Sequence, residues 1–172
     1  GTLVNNVIAD NRASGIYIAG GAPRLLFNTV ARNGGTHDVG IFVSLYTAYG
    51  GSVYPSTIAL TNTILVSHSI GISVTAGNTA TINGVLWFTA PITISEANSA
   101  TVLIQNQVYG DPAFAPDGYH LTAVSAAIAV GVPAGLWPDI DDEPRRNPPD
   151  LGVDEYWAPG ALKKAYLPII WR

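Results

Sequence analysis

The chain has 172 residues, of which 48% are apolar and only 12% charged, with a net charge of −4. That length holds one domain with a real core, and the composition, with Gly 18 and Pro 12, is ordered and turn-rich rather than disordered. The acidic balance gives no electrostatic case for nucleic acid or an anionic membrane, the lack of Cys excludes disulfides and thiolate metal sites, and no apolar run reaches membrane-spanning length.

With no Met and Gly1 at its start, the sequence reads as a processed or excised piece of a longer polypeptide, any secretion signal lying upstream. The first element, "NNVIADNRASGIYI" at 5–18, recurs along the first hundred residues. "NVI" at Asn6 returns as "NTV" at Asn28, "NTI" at Asn62 and "NGV" at Asn83, at intervals of about 22, 34 and 21 residues. A second register agrees with it: "GIYI" at Gly15, "GIFV" at Gly40 and "GISV" at Gly71. In each copy the aliphatics (Ile16/Ile18, Ile41/Val43, Ile72/Val74) alternate with Tyr17, Phe42 or Ser73, the period of a half-buried strand.

Strands this short cannot stand alone, and a repeat near 22 residues predicts a solenoid whose stacked copies share one core. The fold class expected is therefore all-β, a right-handed parallel β-helix of few coils over 1–110, with an irregular closing segment over 111–172 packed on it in the same domain. Asn6, Asn28, Asn62 and Asn83 are expected to stack at one turn, because Asn tolerates a left-handed bend and its amide bonds to the rungs above and below. A β-sandwich with coincidental Asn spacing is the competing architecture.

The long interval holds "SLYTAYGGSVYPS", an insertion of about a dozen residues. Its Tyr46, Tyr49 and Tyr54 around Gly50-Gly51 either stack on sugar rings or a partner protein, or fold back over the apolar face. Arg12, His37 and His68 each precede an aligned glycine by the same offset. Stacked coils would make them a basic column able to hold an acidic sugar, or exposed turn residues. The coil region's acids are Asp10, Asp38 and Glu96, with no pair at one coil position, so the two facing carboxylates of a glycoside hydrolase are missing.

After "TVLIQNQVYG" the character changes. The run "DPAFAPDGYHLTAVSAAIAVG", followed by "DIDDEPRRNPPDLGVDEYW", resembles the closing part of secreted bacterial β-helix proteins of the pectin-lyase-like superfamily, of the choice-of-anchor Q type. The resemblance covers about residues 105–157. It rests on Asp111, Pro112, Phe114, Tyr119, His120, Leu121, Ser125, Ala127, Ile128, Gly131, Asp139, Asp141, Arg145, Asp150, Gly152, Glu155 and Tyr156. The chain departs from the pattern at Ala126, Ala129, Asp142 and Val153. The final "AYLPIIWR" resembles a short tail of some secreted bacterial proteins, or is a last strand on the helix end.

The resemblance implies a secreted or cell-surface β-helix module with a structural or adhesive role, in contact with polysaccharide and without catalysis of its own. A polysaccharide lyase or hydrolase fragment is one alternative, and a self-assembling subunit of an extracellular fibre the other. No cofactor is expected, although Asp139, Asp141 and Asp142 in the acidic cluster are a weak calcium candidate. The competing role is structural: Arg145 bridges the Asp139/Asp141 turn to Glu155 through bidentate bonds. Residues 111–157 are expected to cap the C-terminal end, leaving Thr2–Ile8 as the open end that meets upstream coils or another copy.

Overall fold

The computed structural model describes residues 1–34, 38–136 and 138–161; His37 and the final "AYLPIIWR" lie outside them. The described residues form an all-β parallel β-helix of about five turns, without a helix, followed by an irregular segment. Each coil has three faces. Face one carries β1 (Thr2–Val4), β4 (Arg24–Leu26) and the first halves of β9 (Thr57–Val66), β11 (Thr79–Phe88) and β13 (Thr101–Tyr109). Face two carries β2 (Val7–Ala9), β5 (Thr29–Ala31) and the second halves of those three long strands. Face three stacks β3 (Ile16–Ala19), β6 (Val39–Ser44), β10 (Ile70–Val74) and β12 (Ile92–Glu96). A two-stranded antiparallel hairpin, β7 (Tyr46–Thr47) and β8 (Val53–Tyr54), projects from the second coil.

The coil turns its corners by putting single residues in the left-handed region at matching positions. Between faces one and two the column is Asn5 (φ 51), Phe27 (φ 52), Asn62 (φ 52), Gly84 (φ 74) and Asn106 (φ 51). After face two it is Asp10, Arg32, Ser67 and Thr89, all at positive φ. Asn and Gly suit such bends; a bulky Phe27 there is held only by what packs on it.

The Asn stack forms only in part. Asn6 and Asn28 do ladder, Asn6 donating its backbone N–H and its amide to Asn28 Oδ1, both at 3.0 Å. Asn28 registers with Thr63, however, so Asn62 falls at the left-handed bend and Asn83 on the outer side of face one. The cause is the long coil, which advances 35 residues where its neighbours advance 22. Its excess is split between the loop after Asn33 and the hairpin rather than lying in one insertion. The glycine register holds: Gly15, Gly40 and Gly71 stack on face three, where a Cβ would strike Val30, Leu65 and Trp87 reaching across from face two.

Inside the coils, Ile18, Leu25, Val30, Ile41, Val43, Ile58, Leu60, Leu65, Ile72, Val74, Ile82 and Trp87 form one core. A second core lies outside face two, where Ala31, Ile64, Val66 and Leu86 meet Leu121, Ala127 and Leu151 of the closing segment. Face two is thus buried on both sides. This explains its unbroken apolar runs "ILV" at 64–66 and "VLWF" at 85–88, which show no alternation.

Among the described residues, the closing segment does not cap the C-terminal end. It runs along the flank of face two and returns to the first coil, where Asn5 donates to Pro138 O at 3.0 Å. Along β13, Thr101, Leu103, Gln105, Asn106, Gln107 and Tyr109 stay exposed, and among the described residues no strand pairs with its outer edge.

Candidate functional site

The left-handed column between faces one and two is the seat of the closing segment. Asn62, fully buried, donates from Nδ2 to Val132 O at 2.6 Å and accepts from Val132 N at Oδ1 at 2.8 Å, as a strand partner would. Its own carbonyl accepts from Gly152 N. Arg145, only 5% exposed, lies over the Phe27 ring at 3.9 Å and donates from Nη2 to Asn5 Oδ1, Gly152 O and Val153 O. Burial pulls its guanidinium below the ordinary value, against the charges of Glu155, Asp139, Asp150 and Asp154.

The expected bidentate bridge from Arg145 to Glu155 is not formed: their nearest charged atoms are 3.8 Å apart. Arg146 takes that role, donating to Glu155 from Nε at 2.9 Å and to Tyr156 O at 2.8 Å. Arg145 is drawn away because only its position reaches Phe27 and the first coil. Asp150 accepts from the backbone of Ala129 and Tyr156; burial, reinforced by Glu155, pushes it up to about 6.

The calcium candidates separate. Asp139 is 3% exposed and both its oxygens are taken by backbone N–H groups, Oδ1 by Asp141 and Glu143 and Oδ2 by Glu155. It ties a turn, and burial pushes its carboxyl up. Asp142 is exposed at a left-handed position. Asp141 instead joins His120 and Asp154 beside a pocket of about 250 Å³, lined also by Glu143, Glu155 and Tyr156. His120 Nε2 meets Asp141 Oδ2 and Nδ1 meets Asp117 Oδ2, each at 2.6 Å. Burial pushes the imidazole down, but these two bonds and the charges of Asp154 and Asp117 outweigh it and hold it up at about 9. The motif "GYHL" gave His120 its place; only the fold brings Asp154 to it.

Of the basic column, Arg12 and His68 do not stack on one another, and His37 lies outside the described residues. His68 is 2% exposed and continues an inward ladder, Asn11 to Asn33 to His68, with its Nε2 3.3 Å from Asn33 N. Accepting there fixes the Nδ1–H tautomer, and burial pulls the imidazole down. Arg12 is exposed and stands one residue past that ladder. Ser67, Ser69 and Asp38 share a shallow pocket with His68, but Ser69 bonds Asp38 directly.

The flank opposite the closing segment's seat carries aromatics. On the outer side of face three Tyr17 (65% exposed) stacks on Phe42, ring centroids 5.5 Å apart and planes 5° from parallel. The same column continues as Ser73 and Ser95, so no ring lies beyond Phe42. Two residues past Ser44 the hairpin adds Tyr46 and Tyr54, half exposed and 6.2 Å apart, with Tyr49 fully exposed at its tip. The hairpin stands on Gly20, where a Cβ would approach that of Tyr46 to 2.6 Å. The tyrosines therefore project rather than fold onto the core. Tyr17 and Phe42 join the three tyrosines read from the sequence; the signal was their outward phase in the alternation.

No known protein family, curated protein or solved structure matches this chain.

Proposed function

We propose that this chain is a non-catalytic module of a secreted or cell-surface protein, of the pectin-lyase-like, choice-of-anchor Q type. In this reading it is a rigid β-helix that contacts polysaccharide through the aromatic strip of face three. The observation that carries this is the strip itself: Tyr17, Tyr46 and Tyr54 exposed on sheet and hairpin, with half-buried Phe42 stacked against Tyr17. Sugar rings present C–H faces that stack on aromatic faces, and stiff aromatic side chains pay little entropy on binding. The step from Phe42 down to Ser73 leaves one ring face open for a sugar. The C-terminal motifs support the family reading, and the coil acids Asp10, Asp38 and Glu96 supply no facing pair for hydrolysis.

The test is retention of the chain on immobilised neutral and uronate polysaccharides, scored alongside product release. The expected result is retention without product, reduced about tenfold or more by the joint change Tyr17→Ala/Phe42→Ala, a loss of one to two stacking contacts. Uronate cleavage with an unsaturated product would instead make the chain a lyase. End-to-end assembly is a second reading, favoured by the exposed outer edge of β13. Sedimentation at rising concentration tests it, a concentration-independent monomer counting against it.

A further inference from the structure

Three segments of the closing region converge at one point. Tyr119–Leu121 brings His120, the turn closed by Asp139 brings Asp141, and the stretch returning along face two brings Asp154. One ligand atom from each of the three side chains lies within 4.8 Å of the other two. We infer that His120, Asp141 and Asp154 form a binding site for a divalent first-row transition metal of the zinc class, braced by Asp117.

The donor set and its surroundings argue for this class. An imidazole nitrogen with two carboxylates is a zinc-type set, with a fourth position left for water. Calcium prefers oxygen throughout and takes six or more ligands. Asp117 Oδ2, 2.6 Å from Nδ1, holds the proton on that nitrogen and aims Nε2 at the other two carboxylates. A carboxylate behind a metal-binding histidine plays this same part, fixing the ring and its tautomer. Asp154 is 6% exposed, with Oδ2 fixed by Leu121 N at 2.7 Å, so one ligand is set rigidly from the buried side. Asp141 is half exposed and already meets His120 Nε2 from the solvent side. The adjoining pocket of about 250 Å³ gives an ion and its water an entrance.

The charge balance points the same way. Three carboxylates face one imidazole: Asp141 and Asp154 line the pocket beside His120, and Asp117 stands behind its ring. A bound ion replaces the His120 Nε2 proton and adds net positive charge beside Asp117, Asp141 and Asp154. It links three loops, so its expected effect is stabilisation of the closing segment.

The experiment uses the full chain without an affinity tag, stripped with EDTA and then titrated with Zn2+, Co2+ or Ca2+. The expected result is one Zn2+ per chain by calorimetry and a melting temperature higher by about 5–10 °C at saturation. Co2+ should give visible d–d absorption, and Ca2+ at equal concentration little shift. His120→Asn and Asp141→Asn should each weaken Zn2+ binding by about 100-fold, and Asp117→Asn by about 10-fold. Asp141→Asn, altering a half-exposed side chain, keeps the test open if His120→Asn fails to fold. The inference is overturned if the stripped protein takes up no Zn2+, if Zn2+ binding survives His120→Asn or Asp141→Asn undiminished, or if Ca2+ stabilises and Zn2+ does not.

Discussion

Replacing Asn62 separates two things that the fold asks of one residue. Its side chain makes a paired bond to Val132, and its backbone holds φ 52 at the corner between faces one and two. Asn62→Gly removes the first and keeps the second easy; Asn62→Ala removes the first and strains the second. In Asn62→Gly the Val132 N–H and C=O lose their partners in a site where Asn62 itself is fully buried. Each buried group left unpaired costs about 1–3 kcal/mol, so about 2–4 kcal/mol is expected for the pair after partial relaxation. Asn62→Ala should cost about 1 kcal/mol more, the penalty of a Cβ in the left-handed region. Urea unfolding of the two variants beside the parent measures both terms, provided the slope with denaturant stays constant. A parent-like Asn62→Gly would mean the closing segment is not seated on this column. Equal stability of the two variants would mean the corner is not left-handed.

Further outcomes follow from the packing. Gly71→Ala should cost about 3 kcal/mol, since its Cβ would lie 2.5 Å from Trp87 Cζ3 and 2.7 Å from the Thr93 carbonyl. Trp87→Phe should not rescue it, because the carbonyl cannot rotate away; full rescue in thermal melts would refute this. Arg145→Ala should cost about 3–5 kcal/mol by leaving buried Glu155 and Asp139 without their nearest buried cation. Arg145→Lys should recover little, since one ammonium cannot both cover Phe27 and reach Asn5; a parent-like melting temperature for the lysine variant would count against that role. Asp150, raised in the fold from 3.8 to about 6, binds its proton more tightly folded than unfolded. Its contribution is therefore full below pH 3.8 and is lost as pH rises through about 6, about 3 kcal/mol in all. Asp150→Asn should flatten the stability profile between those pH values, and an unchanged profile would contradict the burial argument.

How much of this was legible in the sequence depended on distance along the chain. Face three was readable because Ile41, Phe42 and Val43 declare inside and outside within one strand. The glycine register was readable too, though its cause, Trp87 and Leu65 pressing from face two, lies outside any local window. Asparagine misled because the fold uses it three ways: Asn28 as an inward ladder, Asn62 as a corner clamp, Asn83 on the outer surface. A coil of 35 residues among coils of 22 then let equal motifs drift out of register. The C-terminal motifs located His120, Asp141, Arg145 and Glu155 but not their partners. Whether Arg145 or Arg146 meets Glu155 is decided by Phe27 and Asn5, more than a hundred residues earlier in the chain.

The unbroken apolar runs of face two carried a signal of their own. Strands buried on one side alternate, and "VLWF" does not, which already required a second layer outside the coil. That layer is the closing segment, and its seat on face two leaves face three as the open flank.

Hydroxyl-radical footprinting of the chain, free and with a retained polysaccharide, tests the covered and the open flank together. The account predicts fast oxidation of Tyr17, Tyr46 and Tyr54 in the free protein, slow oxidation of buried Phe27, Leu121 and Leu151, and protection of the Tyr17–Phe42 strip and the hairpin when polysaccharide is bound. Rapid labelling of Leu121 and Leu151, or protection that falls elsewhere and leaves Tyr17 and Tyr46 unchanged, would contradict it.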